Sequence, residues 1–174
     1  RGGDWQTPLL RSISSFQWAI ENDKAYAAAY SNQLDSYYSM VELMNRFNRD
    51  PVDLVNRAKS VYRGAMSINK SVVQMHYNMS NILIQYAEYL INNGRNADAI
   101  IKSAGEYFDL VSNMDDDVCF GDVIKLKIRI AESMTMTDGN SINESWLDDF
   151  EKTVDRCRKK VASQGQCDLL KARL

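Results

Sequence analysis

The chain has 174 residues, 45% of them hydrophobic and 25% charged, with 21 basic against 23 acidic side chains. That size suits one domain with a sizeable core, and a formal charge of −2 argues against a strongly basic nucleic-acid binder. Two prolines and eight glycines exclude a low-complexity polymer, while one histidine and three cysteines leave few ingredients for common catalytic or metal sites.

Residue 1 is Arg rather than Met, so the chain reads as a processed form or a fragment whose targeting signal could have been removed. Cys119, Cys157 and Cys167 are odd in number and widely spaced, unlike a secreted disulfide scaffold, and point to the cytoplasm or another reducing compartment. Three triplets, Asn69-Lys70-Ser71, Asn78-Met79-Ser80 and Asn143-Glu144-Ser145, match the glycosylation pattern, the first two inside an expected helix. No apolar run approaches the roughly 18 residues of a membrane span.

Helical periodicity dominates. Leu9, Ile13, Phe16 and Ile20 share one face, and Tyr30, Leu34, Tyr37, Val41 and Met44 repeat the spacing up to Phe47; the good helix formers of 25–29 allow one long helix, with Asn22-Asp23 as the alternative break. Asp50-Pro51 is a start signal, with Asp capping free N–H groups and Pro at the first helical position. The next helix should face inward with Leu54, Ala58, Val61 and Ala65, weakening at Gly64. Ile68, Val72, Met75, Met79, Ile82, Tyr86 and Leu90 then predict one long helix, stopped by a left-handed turn at Asn92-Asn93-Gly94. Ala97 to Val111 follows, with Ile100, Ala104 and Tyr107 inward, and a loop over 112–117.

Residues 123–130 alternate apolar and basic side chains as a half-buried strand would, but a lone strand lacks a partner, and the helical spacing Val123, Leu126, Ile130 and Met134 is preferred. Ser141 to Glu144 reads as a capping box ahead of a last helix carrying Trp146, Phe150, Val154, Cys157 and Val161. The expected fold is all-α: a single compact domain of six or seven antiparallel helices over 1–164, with a short tail at 165–174, packed as repeat-like hairpins or as a non-repetitive bundle.

Leu83, Tyr86-Ala87, Leu90, Gly94 and Ala99-Ile100 supply a large–small pattern, a turn glycine and a small residue early in the next helix. Over residues 83–111 the chain resembles one tetratricopeptide-type helical hairpin, and Phe120-Gly121 and Ile124 continue the pattern towards residue 131. Ser133 departs from it where a second alanine-like residue belongs, and no late proline closes either unit. The resemblance implies a non-catalytic scaffold whose grooves or edges hold a partner protein.

His76 cannot form a His–His metal pair, and it is expected as a partly exposed residue on the flank of the long helix. Residues 106–122 hold six acidic side chains and no basic one, centred on Asp115-Asp116-Asp117, but lack the alternation of a calcium loop and read as capping and solvation. Asp138-Gly139-Asn140 opens such a loop without completing it. No catalytic, cofactor or metal residue is assigned.

Two features suggest binding. The stretch 151–174 has seven basic and three acidic residues, with Arg156, Arg158, Lys159 and Lys160 at its centre. The tyrosine pairs Tyr37-Tyr38 and Tyr86 with Tyr89 span more than one helical face, so some should lie outside the core as interface anchors. The leading expectation is a protein–protein interaction or assembly module whose partner is another protein or a second copy. An accessory nucleic-acid or phosphate binder, using the basic residues together with Lys125, Lys127 and Arg129, is the alternative. A carboxylate-based enzyme ranks third.

Overall fold

The computed structural model describes residues 6–69, 72–114, 127–128, 130–131, 133–135 and 144–159, with the backbone alone at 112–114, 144–146 and 157–159. The helices are α1 (Gln6–Asn22), α2 (Ala27–Arg46), α3 (Val52–Ile68), α4 (Val73–Asn92), α5 (Asp98–Met114) and α6 (Glu144–Lys159). The described residues of 127–135 are also helical, which bears out helix over strand for that part of the ambiguous stretch. The fold is an all-α compact domain. Residues 115–126, 136–143 and 160–174, with the acidic loop centre, the capping box and the tail, lie outside the described residues.

The connections follow from local chemistry. Asp23 interrupts the first apolar run at the alternative break: its Oδ1 accepts from Ala25 N at 2.9 Å and its carbonyl accepts from Tyr26 N at 3.1 Å. At the end of α2, Asn48 takes φ 51°, with Asn48 N donating to Asn45 O and Arg49 N to Met44 O. Gly94 does the same after α4 at φ 66°, through Gly94 N to Ile91 O and Arg95 N to Leu90 O. Both are Schellman caps, which satisfy the last carbonyls of a helix through one left-handed residue. Asp50 Oδ1 then accepts from the first free N–H of α3, Val52 N, at 3.0 Å, while Pro51 takes the N-cap position in place of the first helical position expected for it.

Three expectations are corrected. The long periodic run from Ile68 to Leu90 is two helices: Ile68 closes α3, Asn69 is extended at φ −145°, ψ 116°, and α4 begins at Val73. Apolar spacing stays in phase across the reversal, so periodicity alone could not reveal it. Asn69 therefore sits beyond the end of α3, whereas Asn78 is inside α4, buried, and donates to Ser31 O. Gly64 does not weaken its helix, which continues four more residues to Ile68; a Cβ there would lie 3.3 Å from Tyr30 Cε1, so the glycine lets α2 and α3 approach. In α3 the buried residues are Val55, Ala58, Tyr62 and Ala65, while Leu54 and Val61 pack at the margin.

The helices recur in register. α3 and α5 begin at residues 52 and 98, and α2 and α4 at 27 and 73, so each later element starts 46 residues after its counterpart. The caps recur too: Asn48 matches Gly94, and Asp50 matches Asn96, whose Oδ1 accepts from Asp98 N at 3.0 Å. This interval exceeds the roughly 34 residues of a tetratricopeptide unit. Among α1–α5, every extensive packing pair is adjacent or next but one in the chain, the pattern of stacked hairpins. Consecutive helices are antiparallel, as Ser12–Ser36 and Ser80–Ala104 show, and α2 and α4 are parallel, since Ser31 meets Asn78 and Asn48 meets Asn93.

The caps give a paired test. Gly94→Ala places a side chain at positive φ and is expected to lower stability by about 1 kcal/mol. Gly105→Ala, inside α5 with nothing within 4 Å of the added methyl, is expected to raise it by roughly 0.5–1 kcal/mol. Urea unfolding of both variants measures the two signs.

Candidate functional site: the polar cleft between α2 and α4

Helix α4 is buried from Met75 to Leu90, with Tyr77 alone only partly covered. Its buried side chains include His76, Asn78, Ser80, Asn81, Gln85 and Glu88. Polar groups removed from water need partners inside the protein, and His76, Asn78, Ser80 and Asn81 find them on different neighbours.

Towards α3 and α5, His76 Nδ1 and the Tyr62 hydroxyl share a hydrogen bond of 2.6 Å, and Tyr62 meets the Tyr107 ring edge-on with centroids 4.9 Å apart. The expectation of a partly exposed His76 is thus corrected: it is 2% exposed, because the turn before α4 swings that flank against α3. Ser80 Oγ donates to Ala104 O at 2.9 Å, which brings α4 and α5 close at a fully buried alanine. Ala99, the small residue of the hairpin resemblance, is exposed.

Towards α2, the side chains form a cleft. Asn78, Asn81, Gln85, Glu88 and Asn92 recur at helical spacing along α4; Asn78 meets Ser31 O of α2, and Gln85, Glu88 and Asn92 line the cleft with Glu42, Asn45 and Arg46. The cleft has a volume of about 440 Å³ where it is lined by Glu42, Asn45, Arg46, Gln85, Glu88 and Asn92. Asn45 Nδ2 ties the walls together through Gln85 O at 3.3 Å, and Arg46 pairs with Glu42 at 2.6 Å. Beyond this end, Asn93 Nδ2 donates to Asn48 Oδ1 at 2.8 Å and Arg95 pairs with Asp50 at 3.1 Å, clasping the two Schellman turns.

At the other end, Lys127 Nζ donates to Asn81 Oδ1 at 2.6 Å and lies 5.7 Å from the Tyr38 ring centroid. That is hydrogen-bond and cation–π geometry at one ammonium. Asn81 Nδ2 donates back to Tyr77 O at 3.1 Å, which holds Oδ1 towards the lysine. Asp35, Asn81 and Lys127 stand 46 residues apart, as do Glu42 and Glu88, so the cleft is built from equivalent positions of successive hairpins. Burial pushes the Tyr38 hydroxyl up to about 12, assisted by Glu42, Tyr77, Glu88 and Asp35. Carboxylates on both walls therefore reach the same phenol electrostatically.

The residues singled out from the sequence fall differently. Tyr37, Tyr86 and Tyr89 are buried, with Tyr86 and Tyr89 stacked at 6.5 Å, and only Tyr38 of the four is partly exposed, one helical turn from Glu42 of the cleft. The expectation that some of the four lie outside the core holds for Tyr38 alone; the others are covered by neighbouring helices. Arg156 is exposed and donates to Thr153 Oγ1 at 3.0 Å; the side chains of Arg158, Lys159 and Lys160 lie outside the described residues. Glu42, Asn45, Asn81, Gln85 and Glu88 had no local signature, and the polar spacing on an apolar helix was the one signal that could have found them. Among the described residues, no cluster of three metal-ligating side chains occurs, and no helix is long and apolar enough to cross a membrane. No protein-family model, curated protein or solved structure matches the chain.

Burial pushes Tyr62 up to about 12 as well, against an ordinary value of 10.0. Between pH 10 and about 12 the unfolded chain releases the Tyr38 and Tyr62 protons while the folded chain keeps them. Their contribution to stability is therefore complete below that window and falls as pH rises through it. Tyr62→Phe is expected to cost about 1–2 kcal/mol at neutral pH by removing a buried hydrogen bond, and to flatten the alkaline decline. Urea unfolding across the alkaline range reads both effects.

Proposed function

We propose that this protein is a non-catalytic helical interaction module, and that the cleft between α2 and α4 receives a segment of a partner protein. The convergence of amide and carboxylate side chains from two parallel helices on one open cleft carries this reading. Amides such as Asn45, Gln85 and Asn92 combine donor and acceptor in one group, which suits them to the backbone of an extended chain. Rigid, well-packed helices hold those groups in place, so little ordering cost falls on the module side of an association.

The reading based on phosphate contacts draws less support. It needs Lys127 beside the basic residues of α6, whereas Lys127 is engaged at Asn81 and Tyr38.

Asn45→Arg is the informative variant, since it fills the cleft and loses the bond to Gln85 O. The expected result is a protein partner captured by the unaltered chain at moderate salt after nuclease treatment, and a tenfold or greater loss with Asn45→Arg. Trp18→Ala, at an exposed site on α1, should retain it. Equal capture by Asn45→Arg, with circular dichroism unchanged, excludes the cleft; recovery of nucleic acid abolished by salt favours the phosphate reading.

A further inference from the structure

One helical turn from Gln85 and Glu42, at the end of the cleft, Lys127 meets an acceptor and a π face. Asn81 offers Oδ1, Tyr38 offers its ring, and Glu42, Glu88 and Asp35 all bear electrostatically on that same tyrosine. The ammonium comes from a different element, the helical stretch beyond α5, and reaches back across α4 to a ring on α2. At the far end, Arg46 pairs with Glu42 on the surface, its side chain 68% exposed, and an exposed pair of this kind is readily exchanged. Asn81 Oδ1, the Tyr38 ring and the Glu42 carboxylate are thus groups that would hold a cation from elsewhere as they hold Lys127 and Arg46.

We propose that the α2–α4 cleft is specific for a basic segment of a partner protein, and that Lys127 is a tethered occupant of the cradle which that segment must displace. This rests on the interaction reading above and names its partner chemistry. A lysine or arginine of the incoming chain takes the position at Asn81 Oδ1 and Tyr38, and its backbone runs past Glu42 and Gln85 towards Asn45 and Glu88. The lysine side chain competes at high effective concentration because it is attached to the same fold, so it sets a threshold that only a segment with several contacts overcomes.

Fluorescent peptides of alternating Lys and Ala, and of alternating Glu and Ala, titrated into the full chain at low salt provide the test. The Lys peptide is expected to bind, the Glu peptide not, and Lys127→Met to tighten the Lys peptide at least tenfold by vacating the cradle. Glu42→Gln with Glu88→Gln should remove that binding while leaving the helical signal in place. A second measurement needs no variant: reductive dimethylation keeps the lysine charge, and the Lys127 methyl resonance, shifted by the Tyr38 ring, should move to its solvent position as the peptide saturates. A Lys127 resonance that stays fixed through saturation, or equal affinity in the folded Lys127→Met variant, overturns the proposal. If a natural partner is lost with Asn45→Arg yet is indifferent to Lys127→Met, the tethered-cation proposal fails while the interaction reading stands. If Asn45→Arg also leaves partner capture unchanged, both fail.

Discussion

Helix α4 is enclosed by its neighbours, and it is not apolar. Every polar side chain on its buried turns has to find a partner, or its desolvation counts against the fold, and several of those partners lie on other helices. That constraint fixes the arrangement around it. His76 requires Tyr62 on α3, Ser80 draws in Ala104 O on α5, and Asn78 takes Ser31 O on α2. A rotation or slide of α4 by one turn would break all three together, so these bonds specify register as well as adding stability.

The same constraint generates the cleft. α2 and α4 run parallel because the chain reverses at both ends of α3, and they are equal in length at 20 residues. Their caps end level, and Asn93 to Asn48 with Arg95 to Asp50 closes that end. Side chains at equal positions of the two helices therefore lie side by side. Where those positions are apolar they join the core, as Val41 and Ala87 do. Where they are charged, as at Glu42 and Glu88, they line the cleft together. The site is thus a consequence of stacking: no single hairpin contains it.

The helices and their ends were legible in the sequence because they depend on near neighbours. Asp23, Asp50 and Gly94 act within a few residues of their own position, through turns and caps that a short stretch of chain can complete. The break at Asn69 was not legible, since the apolar spacing of α3 and α4 stays in phase across it, and neither was the approach of Tyr30 to Gly64, a contact between residues 34 positions apart.

The candidate site was legible only in fragments. Tyr38 stood out as a possible anchor, but so did Tyr37, Tyr86 and Tyr89, and no local rule separates an aromatic left partly exposed beside a cleft from one that another helix covers. The sequence by itself determined an all-helical chain, the faces of α1 and α2, and the capping residues, because propensity, periodicity and hydrogen bonds to adjacent backbone act over one or two turns. Tertiary structure alone decided the 46-residue register, the burial of His76 and the meeting of Lys127 with Asn81 and Tyr38. Equivalent positions carry different residues, such as Tyr30 with His76 and Leu34 with Ser80, so the recurrence lies in helix length and packing geometry, quantities that only contacts between distant helices can set.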